Sequence, residues 1–124
     1  MVLGILYEAD VRGDSIGDVV AHQVLEPPAY SMTLLQGVAE HLADIDALLR
    51  RYAREWALER MPVIDRNVLR LAVYELLHRP DVPTGAVLSE AVELASRYST
   101  AESGRFVNGL LATIANEFRS DPAH

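Results

Sequence analysis

The clearest pattern of apolar and polar positions lies between Pro62 and Pro80. Seven apolar residues there cover most of the circumference of a helix: Val68, Leu69, Leu71, Ala72, Val73, Leu76 and Leu77. A helix that is apolar almost all round is normally buried by neighbours on several sides. The pattern therefore predicts a central helix over 65–78, capped by Asp65, in an all-α domain. Its polar exceptions are expected to pair with neighbouring helices: Arg70, Tyr74 and Glu75.

Helical periodicity also fills the chain before this segment. A first helix is predicted from residue 1 to a stop at Gly13, followed by a short helix capped by Ser15 and running to about residue 25. Ser31 is predicted to cap a long helix with an apolar seam at spacings of three and four residues: Leu35, Val38, Leu42, Ile45, Leu49 and Tyr52. One or two further turns are predicted over 54–61.

Two more helices are predicted after the central one. Apolar residues at helical spacing mark 87–98 and 106–118, and the segment from Ser99 to Glu102 has the pattern of a capping box. The alternation typical of strands is missing from the sequence. The predicted fold class is therefore all-α, with about six or seven helices joined by short loops.

Length and composition set the limits of this fold. With 124 residues, the chain is expected to form one domain over 1–119, with a disordered tail at 120–124. It contains no cysteine, which excludes disulfides and thiolate metal sites. No apolar run reaches the roughly 20 residues of a membrane span, so we expect a soluble, cytoplasmic protein without membrane contact.

The charge is distributed unevenly. The net charge of −7 argues against nucleic acid as a partner. Residues 1–46 carry eight acidic residues against Arg12 alone, whereas residues 47–124 carry ten arginines and ten acidic residues. All basic side chains are arginine, whose planar fork suits phosphate.

The sequence offers no constellation for catalysis. The four histidines share no metal-ligand spacing: His22, His41, His78 and His124. Glu90 and Glu93 lie on one side of a predicted helix, where a solvated face explains them better than paired catalytic carboxylates. We therefore expect neither an enzyme, nor a metal site, nor a cofactor.

Two stretches combine arginine with an aromatic residue. Arg105 and Phe106 lie in the first turns of a predicted helix, where free N–H groups favour phosphate and Phe106 can stack on a base. In the alternative, Phe106 anchors the core, Arg105 is solvated and Asn108 bonds locally. The second stretch comprises Arg50, Arg51 and Tyr52, for which an ordinary helix end with a packed tyrosine is the alternative.

The order and spacing of several segments resemble the NusB family of bacterial transcription antitermination factors. The segments are Leu6-Tyr7-Glu8-Ala9-Asp10, the run from Val68 to Leu77, Asp81-Val82-Pro83, the run from Glu90 to Ala95, and Phe106-Val107-Asn108-Gly109. The resemblance implies an all-helical fold of two small packed bundles. It also implies binding of boxA RNA from ribosomal RNA leader transcripts together with NusE, a ribosomal protein, within an RNA polymerase antitermination complex.

The resemblance also implies roles for individual residues. Tyr7 and Asp65 match positions associated with the NusE surface. Four residues match positions at or near the RNA surface: Tyr52, Glu102, Arg105 and Phe106. Arg50, Arg51 and Asn108 remain RNA-binding candidates from their own pattern. The expected sites are thus an RNA surface and a separate partner surface.

Family members usually carry an arginine-rich segment that leads into the first helix and contacts RNA. This chain starts just after that position, which leaves two alternatives: a basic segment lies upstream of the given sequence, or this member binds RNA weakly. Apolar surface that missing turns of the first helix would cover favours a homodimer. Two alternative functions stay open. One is a protein-interaction module with little RNA binding, and the other is an RNA-targeting domain like that of rRNA cytosine methyltransferases.

Overall fold

A computed structural model describes residues 2–54 and 56–119. It contains six α-helices: α1 (Val2–Arg12), α2 (Ile16–Ala21), α3 (Ala29–Tyr52), α4 (Val63–His78), α5 (Thr84–Tyr98) and α6 (Ala101–Phe118). A single 3₁₀ turn at Leu58–Arg60 lies between α3 and α4, and the described ranges contain no strand. The predicted fold class is confirmed, and the predicted tail at 120–124 lies outside the described residues.

The central position of α4 is confirmed. It contacts four other helices: α1, α3, α5 and α6. Val68, Leu69 and Val73 on α4 are at most 1% exposed. The first three helices contact one another, and α5 packs along α6, so α4 joins two helical groups around one hydrophobic core.

Three helices begin directly after a proline, and two of these prolines take the N-cap positions predicted for other residues. Pro28, Pro62 and Pro83 are the N-cap residues of α3, α4 and α5, and none provides a side-chain cap. Their carbonyls accept the first helical hydrogen bonds, and proline's fixed φ suits the start of a helix. The predicted caps at Ser31 and Asp65 are therefore wrong, because both residues lie inside the helices.

The other helix ends agree more closely with the sequence patterns. Gly13 has a φ of +73°, the left-handed conformation expected of a helix stop. The Ser15 side chain accepts a hydrogen bond from the Asp18 backbone, so that cap is confirmed. Before α6 the cap is Thr100, which accepts from the Ser103 backbone, and not Ser99 as predicted. The short helix α2 ends at Ala21, several residues before the predicted end.

The three polar residues singled out on α4, Arg70, Tyr74 and Glu75, are buried or half-buried, as predicted. The Arg70 guanidinium donates to both carboxylate oxygens of Asp46 on α3, at 2.8 and 2.9 Å, and to Asp10 on α1 at 3.0 Å. Tyr74 is buried, and its ring lies where a Cβ at residue 37 would be, so only glycine fits at Gly37. Burial, together with the charge of Glu90, raises the pKa of Glu75.

Within the described ranges, no helix has the length and apolar character needed to cross a membrane.

Candidate functional site

The end of α3 and the first half of α6 form a cleft of about 480 Å³, which we call the aromatic cleft. Its main side chains are Tyr52, Arg54, Trp56, Arg105 and Phe106. The Trp56 and Phe106 rings meet edge to face, with centroids 5.0 Å apart and an interplanar angle of 67°. Both rings are half-buried, so each combines a packed edge with surface that faces the cleft.

Tyr52 is held at the margin of this cleft by two neighbours. Its hydroxyl donates a hydrogen bond to the Glu117 carboxylate, which raises the pKa of Tyr52. The Arg51 guanidinium carbon lies 5.5 Å from the centre of the Tyr52 ring, a cation–π distance. The Tyr52 ring is thereby oriented while Arg51 remains exposed.

Of the predicted RNA-binding residues, Tyr52, Arg105 and Phe106 are brought together in the aromatic cleft. Asn108 lies in an adjoining groove with Ser89 and Ser96, and Arg105 borders both cavities.

The remaining candidates lie outside the described lining of the aromatic cleft. Arg50 is exposed, and two of its guanidinium nitrogens donate to Glu59, at 2.6 and 3.0 Å, so its charge is already compensated. Glu102 is exposed in the first turn of α6.

Sequence patterns missed two side chains of the aromatic cleft, Arg54 and Trp56. A signal is present: Trp56, the only tryptophan of the chain, lies two residues after Arg54 and just beyond a helix with Arg50 and Arg51 in its last turn. An isolated tryptophan does not by itself distinguish a binding surface from a core, because tryptophan is highly buried on average.

A second cleft, of about 360 Å³, lies between α1, α4 and α5, and we call it the apolar cleft. Its lining comprises Leu3, Gly4, Tyr7, Ile64, Leu94 and Tyr98. Tyr7 is 42% exposed and Tyr98 is 56% exposed, so two aromatic side chains face solvent beside aliphatic walls. Such a surface suits contact with another protein.

Asp65 follows Ile64 in the chain but does not share its exposure. Its side chain is fully buried, at 0% exposure, and accepts a hydrogen bond of 2.7 Å from the Ser103 hydroxyl of α6. The Asp65 side chain is therefore not presented at the surface, although the resemblance associates its position with the NusE surface. A partner-related role for Asp65 stays a prediction, and in this structure it requires an indirect route.

His41 and His78 stack with ring centroids 4.0 Å apart, and burial together with the charge of His41 lowers the pKa of His78. Stacked rings direct their nitrogen lone pairs in parallel rather than towards one ion. In the part of the chain that the structure describes, no group of three or more His, Asp or Glu side chains is arranged to hold a metal.

Fold and clefts together define an all-helical protein with one aromatic, cationic surface and one apolar surface. The chain belongs to the NusB family, whose sequence profile matches residues 1–116. This membership confirms the resemblance seen in the sequence segments.

Relatives and solved structures agree with this assignment. The transcription antitermination protein NusB of Acidothermus cellulolyticus is 47% identical over 116 residues, covering 90% of this chain and 80% of that protein. The same-named protein of Thermobifida fusca is 50% identical over 114 residues, covering 89% and 80%.

Among solved structures, T. maritima NusB matches with a TM-score of 0.85 at 38% identity, covering 94% of this chain and 86% of that one. A crystal structure of the antitermination factors NusB and NusE in complex with dsRNA matches with a TM-score of 0.81 at 27% identity, covering 94% and 92%.

Proposed function

We propose that this protein is a transcription antitermination factor that binds boxA RNA of ribosomal RNA leader transcripts together with NusE, and that the pair joins the RNA polymerase antitermination complex. Family membership and the NusB–NusE–dsRNA neighbour support this function. The observation that carries it is the aromatic cleft, where stacking and cationic side chains meet. A factor of this kind acts in the bacterial cytoplasm and catalyses no reaction.

The chemistry of the aromatic cleft suits single-stranded RNA. Unstacked bases bind the faces of aromatic side chains, and Phe106, Trp56 and Tyr52 offer three such rings. Arg54 and Arg105 are exposed beside the rings, where their guanidinium groups can contact phosphates. A negatively charged protein can bind RNA in this way because Arg54 and Arg105 are exposed at this surface, while its acidic excess lies in residues 1–46.

The adjoining groove extends this surface along α6. Arg105 borders it, and the amide of Asn108 and the hydroxyls of Ser89 and Ser96 offer donors and acceptors. These groups suit the ribose hydroxyls and phosphates of a strand that leaves the aromatic cleft. We therefore assign Asn108 to backbone contacts and Phe106 to base stacking.

The apolar cleft is the proposed NusE surface. Tyr7 and Tyr98 combine large contact area with a polar tip, the composition enriched at protein interfaces. The cleft lies on α1, α4 and α5, whereas the aromatic cleft lies on α6 and the end of α3, so each ligand has a surface of its own.

Titration of boxA RNA by fluorescence anisotropy, with NusE at saturation, tests the RNA surface. Phe106→Ala should weaken binding by about 5- to 150-fold, the range of one lost base-stacking contact. Arg105→Ala should weaken binding. It should also reduce the slope of log K against log salt concentration by about one, the contribution of one phosphate contact. Arg97→Ala, at an exposed arginine of α5 that pairs with Glu93, is the matched control and should leave both quantities unchanged.

Calorimetric titration with NusE tests the partner surface. Tyr7→Ala should weaken NusE binding by at least tenfold, whereas Tyr30→Ala, at an exposed tyrosine outside the apolar cleft, should not. NusE binding without any RNA binding would favour the interaction-module alternative. Unchanged RNA affinity in Phe106→Ala would contradict the proposed RNA surface.

A further inference from the structure

The Asp65 carboxyl group is fully buried and has few hydrogen-bond partners. One of its oxygens accepts the hydrogen bond from Ser103 at 2.7 Å, and within the described residues the other has no hydrogen-bond partner. A buried carboxyl oxygen without a donor costs free energy, so the bond from Ser103 is the contact that holds this group in place.

The Ser103 hydroxyl is part of a directed chain of hydroxyls. Ser99 and Thr100 hydroxyls lie 3.1 and 3.0 Å from the Ser103 hydroxyl. Since a hydroxyl has one proton and Ser103 gives it to Asp65, Ser103 must accept from both neighbours. All three hydroxyls therefore orient towards Asp65, and hydrogen bonds joined in a chain polarise and strengthen one another.

The hydrogen bond between Ser103 and Asp65 joins the first turn of α6, which contributes to the aromatic cleft, to the first turn of α4, which contributes to the apolar cleft. Asp65 is the third residue of α4, directly after Ile64 of the apolar cleft. Ser103 is the third residue of α6, and Arg105 and Phe106 of the aromatic cleft follow within one turn. A shift of the Ser103 turn would therefore displace Phe106 relative to Trp56.

We propose that Asp65 is a positioning residue for RNA binding: its buried bond to Ser103 fixes the first turn of α6 on α4 and thereby sets Arg105 and Phe106 in the aromatic cleft. This inference rests on the proposed function. The role requires no direct contact of the buried Asp65 side chain with NusE or RNA.

The test uses Ser103→Ala, which removes the donor with the smallest change of volume, and Asp65→Asn, which replaces one carboxyl oxygen by an amide group at nearly constant size. Trp56, the only tryptophan, lies against Phe106 and reports on the α6 turn through its fluorescence and its indole N–H resonance. Ser103→Thr keeps the hydroxyl and serves as the rescue. Thr33→Ala removes an exposed hydroxyl from α3 and serves as the control.

Ser103→Ala and Asp65→Asn should each weaken boxA RNA binding by about 3- to 30-fold, the usual range for coupling through a packed network, while NusE binding stays within about twofold. Both variants should shift the Trp56 signal in the folded protein without RNA. Ser103→Thr should restore the affinity and the signal towards those of the parent.

Two results would overturn the positioning role. One is an unchanged Trp56 signal and RNA affinity in both variants, while Phe106→Ala still abolishes binding. The other is a loss of NusE binding equal to the loss of RNA binding, which would indicate general destabilisation. If the parent protein bound no RNA, the proposed function would fail. The Trp56 signal of the variants would still show whether the Asp65–Ser103 bond sets the position of the first turn of α6.

Discussion

Arg66 on α4 donates two parallel hydrogen bonds to Asp10 on α1, from Nε to Oδ2 at 2.8 Å and from Nη2 to Oδ1 at 2.9 Å. The side chains are only 14% and 16% exposed. Asn67 and Arg70 also donate to Asp10, at 2.9 and 3.0 Å. One carboxylate thus joins the first helix to three side chains of the central helix.

Arg66→Ala should lower the free energy of unfolding by about 2–4 kcal/mol, because it leaves a largely buried carboxylate with fewer donors. Urea denaturation at neutral pH measures this. Arg12→Ala is the matched control: Arg12 forms an exposed pair with Glu8, at 64% and 41% exposure, and its loss should cost less than about 1 kcal/mol. Equal losses in the two variants would contradict the importance of the buried pair.

The same network predicts how stability depends on pH. Burial raises the pKa of Asp10, but the hydrogen bonds from Arg66 and Asn67 and the charges of Arg66 and Arg70 outweigh it, and the pKa is lowered overall. A carboxyl group whose pKa is lower in the folded state stabilises the fold above its unfolded pKa. That contribution is lost as the pH falls through the folded value.

Asp10→Asn should therefore be less stable than the parent at pH 7, and the difference should shrink as the pH falls below the ordinary range of an aspartate. Thermal unfolding of both proteins at several pH values from 7 to 3 measures this difference in stability. Asp18→Asn, at an exposed position of α2, provides the control. A difference that stays constant with pH would show that Asp10 acts by shape and not by charge.

Arg119, directly after α6, closes the end of α4. Its guanidinium donates to four backbone carbonyls and to the Thr84 hydroxyl, at 2.6 to 3.1 Å, and three of the carbonyls are at the C-terminal end of α4: Glu75, Leu76 and Arg79. Arg119→Ala should cost about 2–3 kcal/mol, because these carbonyls lose a charged donor. Arg119→Lys should recover only part, since lysine lacks the planar fork. Urea denaturation of both variants measures this, and equal stability of Arg119→Lys and the parent would contradict it.

Gly37 and Gly4 should respond oppositely to alanine. A Cβ at Gly37 would overlap the buried Tyr74 ring, so Gly37→Ala should destabilise the protein by about 1–3 kcal/mol. A Cβ at Gly4 meets nothing within 4 Å, so Gly4→Ala should stabilise α1 by about 0.5–1 kcal/mol. Melting temperatures of the two variants suffice, and changes of the same sign would disprove the packing argument.

Gly109→Ala should change protein stability and RNA affinity in opposite directions. Gly109 lies within α6 and lines the aromatic cleft, and a Cβ there would meet nothing within 4 Å. Gly109→Ala should therefore raise stability by about 0.5–1 kcal/mol, as glycine weakens a helix interior. The added methyl group should also reduce RNA affinity, because it occupies space open to a base. Higher stability with undiminished affinity would place the RNA elsewhere.

Much of the fold was predictable because helical hydrogen bonds and apolar spacing are local. Gly13 and Ser15 were identified from the residues beside them. The predicted caps at Ser31 and Asp65 were wrong because the prolines before these helices already provide their starts. The aromatic cleft was predicted in part, through Phe106, Arg105 and Tyr52, whereas Trp56 joins it only by tertiary packing.

The sequence by itself determined the all-helical class, the central helix and the family, since periodicity and ordered motifs can be recognised along the chain. The tertiary structure decided which polar residues meet. Asp10 and Arg66 are 56 residues apart, and Asp65 and Ser103 are 38 apart. No local pattern encodes such pairs, because the energy of a buried charge depends on the donors that the fold brings to it. For this reason Asp65, which a sequence pattern assigns to a helix cap, is buried in the structure and bonded to Ser103 of α6.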